Sequence, residues 1–130
     1  MAELSAEAKA LFQQPIPGWV TTRRKDGSLH STVVWVDADD QGVYFNTAVG
    51  RAKERHLRND PTISVSVLDP ANPYHLVSVS GTATLDTTDA DATIDRLAKK
   101  YIDADVYPGH TPDEQRINVR VRADKVIYNG

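Results

Sequence analysis

The sequence predicts a mainly β fold: a small antiparallel barrel of six or seven strands with helices at its ends. Three observations carry this. Short runs rich in Val, Ile and Thr recur with polar–apolar alternation, as in Thr62–Leu68, where Ile63, Val65 and Val67 share one face and Ser64 and Ser66 the other. Most runs are joined by hairpin-length turn clusters, such as Lys25–Ser28 with Asp-Gly at its centre. Only two or three stretches have helical character.

The elements follow in order. Ser5–Gln13 reads as a short amphipathic helix, with Ser5 as N-cap and Pro15 and Pro17 ending it. Gly18–Arg24 is strand-like, and His30–Asp37, β-branched and aromatic, is the next strand. Asp37–Gly42 reads as a polar turn, followed by a strand over Val43–Thr47. A basic helix follows Gly50 and stops at Pro61. After Thr62–Leu68 comes a tight loop, Asp69–Pro73, and then a long strand, Tyr74–Leu85, with Gly81 as a bend or close-approach point. Asp89–Tyr101 is the clearest helix, with Ala90, Ile94, Leu97, Ala98 and Tyr101 as its apolar stripe, Thr88 as candidate cap and Lys99 and Lys100 at its end. Ile102–Gln115 reads as an irregular loop and Arg116–Tyr128 as the last strand.

A chain of 130 residues suits one domain with a modest core. Its net charge of -3 argues against broad nucleic-acid binding, because positive charge is concentrated locally. There is no cysteine, which excludes disulfides, thiol catalysis and cysteine-held metals. His30, His56, His75 and His110 show no metal-ligand spacing, and no metal site is expected. GxSxG, Walker and GxGxxG patterns are missing. Met1–Gln14 has no signal-peptide core and no run approaches membrane-spanning length, so the expectation is a cytoplasmic protein without membrane contact. With no evident acid, base or nucleophile, any chemistry must come from a cofactor.

The most informative stretch is Gly50–Pro61, GRAKERHLRNDP. Arg51 and Lys53 fall at the start of its helix, where cations are disfavoured by roughly 0.3–1 kcal/mol each. Either this is a solvated basic face, or N–H groups, helix dipole and cations together hold a small anion such as a phosphate. Arg51, Arg55 and Arg58 recur on one helical face, with Lys53 on another.

From Ser31 to Pro61 the text STVVWV, DADDQG, VYFNT, AVGRAKERHL and NDP resembles the pyridoxamine-phosphate-oxidase-like flavin-binding proteins, and VSVSGTATL, Val77–Leu85, resembles a later strand of that family. The resemblance implies a split β-barrel, a homodimer, and a cofactor held at the subunit interface. It implies that Thr32, Val33, Val34 and Trp35 lie along the cofactor ring and that Asn46 and Thr47 stand beside it. It also implies that Lys53, with Arg51 and the Ala52 backbone, takes the phosphate, and that Leu76 reaches the cofactor from the second subunit. Trp19, Trp35 and the valine-rich strands offer more apolar surface than one small barrel needs, which suits a dimer.

The departures from the oxidases are specific. Ser31 and Val36 stand where they carry basic residues, and Ala52 stands where they carry arginine. No copy of their C-terminal substrate segment is recognisable, which points away from pyridoxamine-phosphate oxidation. The R-A-K-x-R-x-L-R-x-D-P pattern resembles instead the branch using the deazaflavin coenzyme F-420, whose phosphodiester and oligoglutamate tail suit a denser cationic cluster that includes Arg55. The implied function is a reductase passing hydride from reduced F-420 to a small conjugated organic substrate. FMN as cofactor, and a carrier of F-420 or FMN without turnover, stay open.

Overall fold

The computed structural model describes residues 2–130. Seven strands, β1 (Gly18–Arg23), β2 (Leu29–Val34), β3 (Val36–Asp39), β4 (Gly42–Ala48), β5 (Thr62–Asp69), β6 (Asn72–Asp86) and β7 (Arg116–Asn129), form one antiparallel sheet in the order β2-β1-β5-β6-β7-β4-β3. Three helices accompany it: α1 (Ala6–Gln13), α2 (Ala52–Asn59) and α3 (Ala90–Ile102).

The sheet curls around the side chains that alternation turns inward. Val20 pairs with Val65, Val65 with Val79 and Phe45 with Val119, and all are essentially fully buried. Burying side chains of this size contributes about 1.5–3 kcal/mol each. Gly81 sits at a β-bulge in the β6–β7 ladder, and a Cβ there would collide with the Arg122 carbonyl oxygen. Only glycine allows the two backbones to approach so closely.

α1 begins where Ser5 Oγ accepts the Ala8 N–H at 3.1 Å, and its Leu11 and Phe12 enter the core. α3 covers the outer face of β4 and β7 instead of sitting at a barrel end. This explains why all residues from Val43 to Ala48 are buried, on both faces of β4. The cap of α3 differs from the expected Thr88. Asp89 is the N-cap, in the left-handed region at φ 57°, without a side-chain cap bond. The expected stripe is otherwise inside, with Ala90, Ile94, Leu97 and Ala98 buried.

The expected single strand His30–Asp37 is two strands broken at Trp35. β2 pairs only with β1, and β3 pairs only with β4, so the two lie at opposite edges of the sheet. The expected turn over Asp37–Gly42 is correspondingly shorter, because β3 runs to Asp39. Trp35 stacks on Tyr101 of α3 at 5.5 Å between ring centroids. The Tyr101 hydroxyl lies 2.7 Å from the Ile16 carbonyl oxygen and 2.9 Å from that of Val36, and accepts the Val36 N–H at 3.1 Å. Lys100 Nζ donates to the Val36 and Phe12 carbonyls at 2.6 and 2.9 Å. A period-two reading misses this break, since Val34 and Val36 both continue the inward alternation.

Two expected outcomes follow. Leu97, 1% exposed, should cost roughly 2–5 kcal/mol as Leu97→Ala, read as a lowered urea midpoint. The Tyr101 phenol is pushed up to about 12, chiefly by burial. A raised folded-state value means its contribution is intact below the ordinary value of 10.0 and is lost as pH rises towards 12. Urea midpoints across that alkaline window should fall more steeply in wild type than in Tyr101→Phe. Parallel slopes would refute the assignment.

Candidate functional site

α2 is built against its own charge pattern. Arg51 is its N-cap and gives no side-chain cap bond, so the expected first-turn place of Arg51 shifts one residue outside the helix. Glu54 supplies what the cap lacks. Its Oε1 accepts the Gly50 N–H at 2.9 Å and its Oε2 accepts Arg58 Nε at 2.8 Å. These contacts, the Gly50 bond first, hold the Glu54 carboxyl below the usual carboxylate range although the residue is buried.

The expected stripe of Arg51, Arg55 and Arg58 is consumed within the chain. Arg58 is paired with Glu54, and Arg55 donates to the Gly50 carbonyl at 2.5 Å. Arg51 donates to Glu114 Oε2 at 2.7 Å. Glu114 also binds Arg116 at 2.6 Å, and these guanidinium contacts, Arg116 first, depress its carboxyl. Arg116 is buried, so its charge needs that carboxylate and the 2.7 Å bond from its Nε to Asn46 Oδ1. Asn46, expected at the cofactor, is therefore committed elsewhere: its amide donates to the Ala90 carbonyl and to Asn118 Oδ1, both at 2.9 Å. It lies on the face of β4 opposite Thr47, as alternation requires.

Lys53 is different. It is half-buried and has no carboxylate partner among the described residues. Burial, and then the Arg51 charge, lower its ammonium from the ordinary lysine value. The inward face of β2, where His30 lies near enough to feel the Lys53 charge, carries two buried polar atoms without a partner, His30 Nδ1 and Thr32 Oγ1. The His30 ring meets His56 of α2 edge-on at 5.1 Å, and His56 Nδ1 shares a 2.9 Å hydrogen bond with Thr22 Oγ1 of β1. Sequence alone gives these two histidines no role, because residues 30 and 56 become neighbours only through the β1–β2 hairpin and the packing of α2 on β1.

β2 is an edge strand, so alternate backbone N–H and C=O groups over residues 29–34 point away from β1. Thr32 and Val34 face inward, whereas Val33 faces outward into a cavity of about 460 Å³ whose lining also includes Trp19, Leu68 and Leu76. The expected site residues thus divide. Ala52 and Lys53 stand at the start of α2, and buried Thr47 lies at the end of the preceding strand. Val33 and Leu76 share the outer cavity, and Trp35 is taken up by Tyr101 and Tyr107. Near the other end of the sheet, on the same face as Val77, a further cluster links Asp69, His75 and Tyr128, with His75 Nδ1 and Nε2 at 3.2 and 3.1 Å from the two oxygens. No group of three or more potential metal ligands occurs among the described residues. Nor is any described helix long and apolar enough to cross a membrane.

The polar bridge has a measurable consequence. Glu114→Ala should destabilise the protein by roughly 3 kcal/mol, because it strands the buried Arg116 charge. Arg51→Ala should cost less than about 1 kcal/mol, since the Arg51 end of the bridge is exposed. Chemical denaturation of both variants checks the ranking, and equal costs would disprove it.

Comparison with known proteins agrees with this architecture. An F-420 reductase structure aligns over 95% of this chain and 98% of its own, with a TM-score of 0.84 and 24% identity. A conserved hypothetical protein of Mycobacterium tuberculosis aligns over 99% of this chain and 86% of its own, with a TM-score of 0.77 and 20% identity. General stress protein 26 of Bacillus anthracis aligns over 95% and 91%, with a TM-score of 0.71 and 18% identity. At such identities the likeness establishes the fold. A search of curated proteins finds no match. The family model described as pyridoxamine 5'-phosphate oxidase matches residues 4–130. With that match spanning nearly the whole chain and the curled seven-stranded sheet beneath it, the chain belongs to the pyridoxamine 5'-phosphate oxidase family.

Proposed function

We propose that this protein is a homodimeric F-420-dependent reductase acting on a small conjugated organic substrate. The observation that carries the reading is Lys53, a half-buried cation without a carboxylate, placed at a helix start and beside unpartnered polar atoms of an open strand edge. These features suit a ligand with a phosphate at one end and a flat heterocycle at the other.

Lys53 and the first-turn N–H groups of α2, which have no intrahelical acceptor, would hold the phosphodiester. Arg55 and Arg58 lie exposed along the same helix and are available to tail carboxylates at the cost of their present bonds. The free edge of β2 would offer backbone hydrogen bonds to the ring, with Val33 and Trp19 as apolar support. Bound there, reduced F-420 supplies a hydride equivalent. The chain's own residues orient the partners and keep the cleft dry. The departures at Ser31, Val36 and Ala52 argue against the oxidases' phosphate grip, and the likeness to an F-420 reductase supports the choice of coenzyme.

A second copy completes this reading. The outer sheet face exposes Trp19 at 55%, Val33 at 48% and Leu68 at 43%, an apolar patch that a soluble monomer would not ordinarily display. Covering it with the same face of a partner would bring Leu76 of one protomer towards the β2 edge of the other.

Charge-assisted contacts of this kind are worth about 1.5–3 kcal/mol. Lys53→Ala should therefore weaken F-420 binding roughly tenfold to a hundredfold, and added salt should weaken wild-type binding. Separate titrations of F-420 and FMN into the apo-protein decide the coenzyme. Tighter FMN binding, or F-420 affinity indifferent to both Lys53→Ala and salt, would defeat the reading. Sedimentation at micromolar concentration should show a dimer, and Trp19→Arg should shift it towards monomer.

A further inference from the structure

His30 and His56 are unlike the other two histidines. His75 and His110 each have an aspartate, Asp69 at 3.2 Å and Asp95 at 2.7 Å. Among the described residues the His30–His56 pair has none. Facing it are Arg24 just after β1, Lys53 and Arg55 on α2, and the Thr22 hydroxyl, with Thr32 next along the same face of β2. The carboxylates of neighbouring segments are committed elsewhere: Asp26 to Ser28, Asp60 to Thr62 and Arg23, and Glu54 to Gly50 and Arg58. The pair is thus enclosed by cations and hydroxyls with no negative charge of its own.

We propose that His30 and His56 are the proton-accepting wall of the phosphate subsite, taking up a proton when a phosphate ester binds beside Lys53 and returning it when the ester leaves. The inference rests on the anion subsite proposed above and extends it to two residues outside the expected set. Its physical basis is charge balance. Burial first, then for His30 the Arg24 and Lys53 charges and for His56 the His30 ring and the nearby cations, hold both imidazoles below the ordinary histidine value and favour their neutral forms. An anion at Lys53 offsets those same cations and favours imidazolium. The unpartnered His30 Nδ1 then gains an acceptor, either the ester itself or the Thr32 hydroxyl reoriented by it. Phosphate-ester affinity therefore rises as pH falls through the window between the free and bound imidazole values, by about tenfold for each pH unit that separates them.

The test is a histidine ring-proton NMR titration of the whole protein in chloride, in sulfate and with F-420. Sulfate is the probe of choice, because it does not itself titrate near neutrality. Signals are assigned with His30→Gln and His56→Gln, or by elimination with His75→Gln and His110→Gln if the first two fail to fold. The expected result is a titration midpoint for His30 or His56 that lies about one pH unit higher in sulfate and in F-420 than in chloride, with His75 and His110 unmoved. Raised midpoints in sulfate without F-420 binding would uphold the proton-coupled subsite and defeat the coenzyme reading. F-420 binding with both histidines unmoved would overturn this inference and leave the coenzyme reading standing. Unmoved histidines with no binding of either ligand would overturn both.

Discussion

At Trp35–Val36 the chain leaves one edge of the sheet and starts the other, and the rest of the architecture depends on how that passage is held. Val36 is fully buried, and its backbone N–H and C=O are both bonded by side chains of α3, Tyr101 and Lys100. A Cβ on Gly18 would press against the Val36 side chain, so the start of β1 is shaped to the same point. The hold keeps β2 and β3 at opposite ends of the strand order. With β2 unpaired on its outer side, the barrel has an open wall, and backbone groups are available that a closed ladder would consume. α3 is therefore more than a cover for β4 and β7. It determines where the barrel splits.

The charges around α2 follow from a related constraint. Arg116 is buried on β7 and must be neutralised, which draws Glu114 inward, and Glu114 in turn reaches Arg51. Asn46 completes the bridge to the start of α3 through the Ala90 carbonyl. One continuous polar chain thus ties the start of α2 to β7, β4 and α3. Glu54 performs the missing cap and takes Arg58 with it. What is left over is Lys53, and beside it a pair of histidines without a counterion. Uncompensated positive charge at a helix start is costly by itself, and that cost is the physical ground for the anion subsite proposed here.

Much of the fold is legible in the residues. Alternation in Thr62–Leu68 and Arg116–Tyr128 marks strands that the structure extends by a residue, and the stripe of Ala90, Ile94, Leu97 and Ala98 marks α3 correctly. Lys53 is legible too, because a cation at a helix start breaks a local electrostatic rule that sequence alone exposes. The break at Trp35 is not legible. Its cause lies in hydrogen bonds from residues 100 and 101 to residue 36, and no local pattern encodes a contact across that separation. For the same reason the family resemblance puts Asn46 at the cofactor, whereas Arg116 and Asn118 on a neighbouring strand claim its side chain.

The sequence by itself determined the strand and helix content, the family, and the position of an anomalous basic helix. Each of these is a property of short-range periodicity and of residue order along the chain. Only the tertiary structure decided which cations are free. In the sequence Arg51, Arg55 and Arg58 are cations as available as Lys53, but Glu114, the Gly50 carbonyl and Glu54 reach them in the fold and leave Lys53, among the described residues, without a carboxylate. It also decided that His30 and His56, far apart in the chain, face each other among positive charges. Pairing of charge is a matter of distance in space, and distance is what folding supplies.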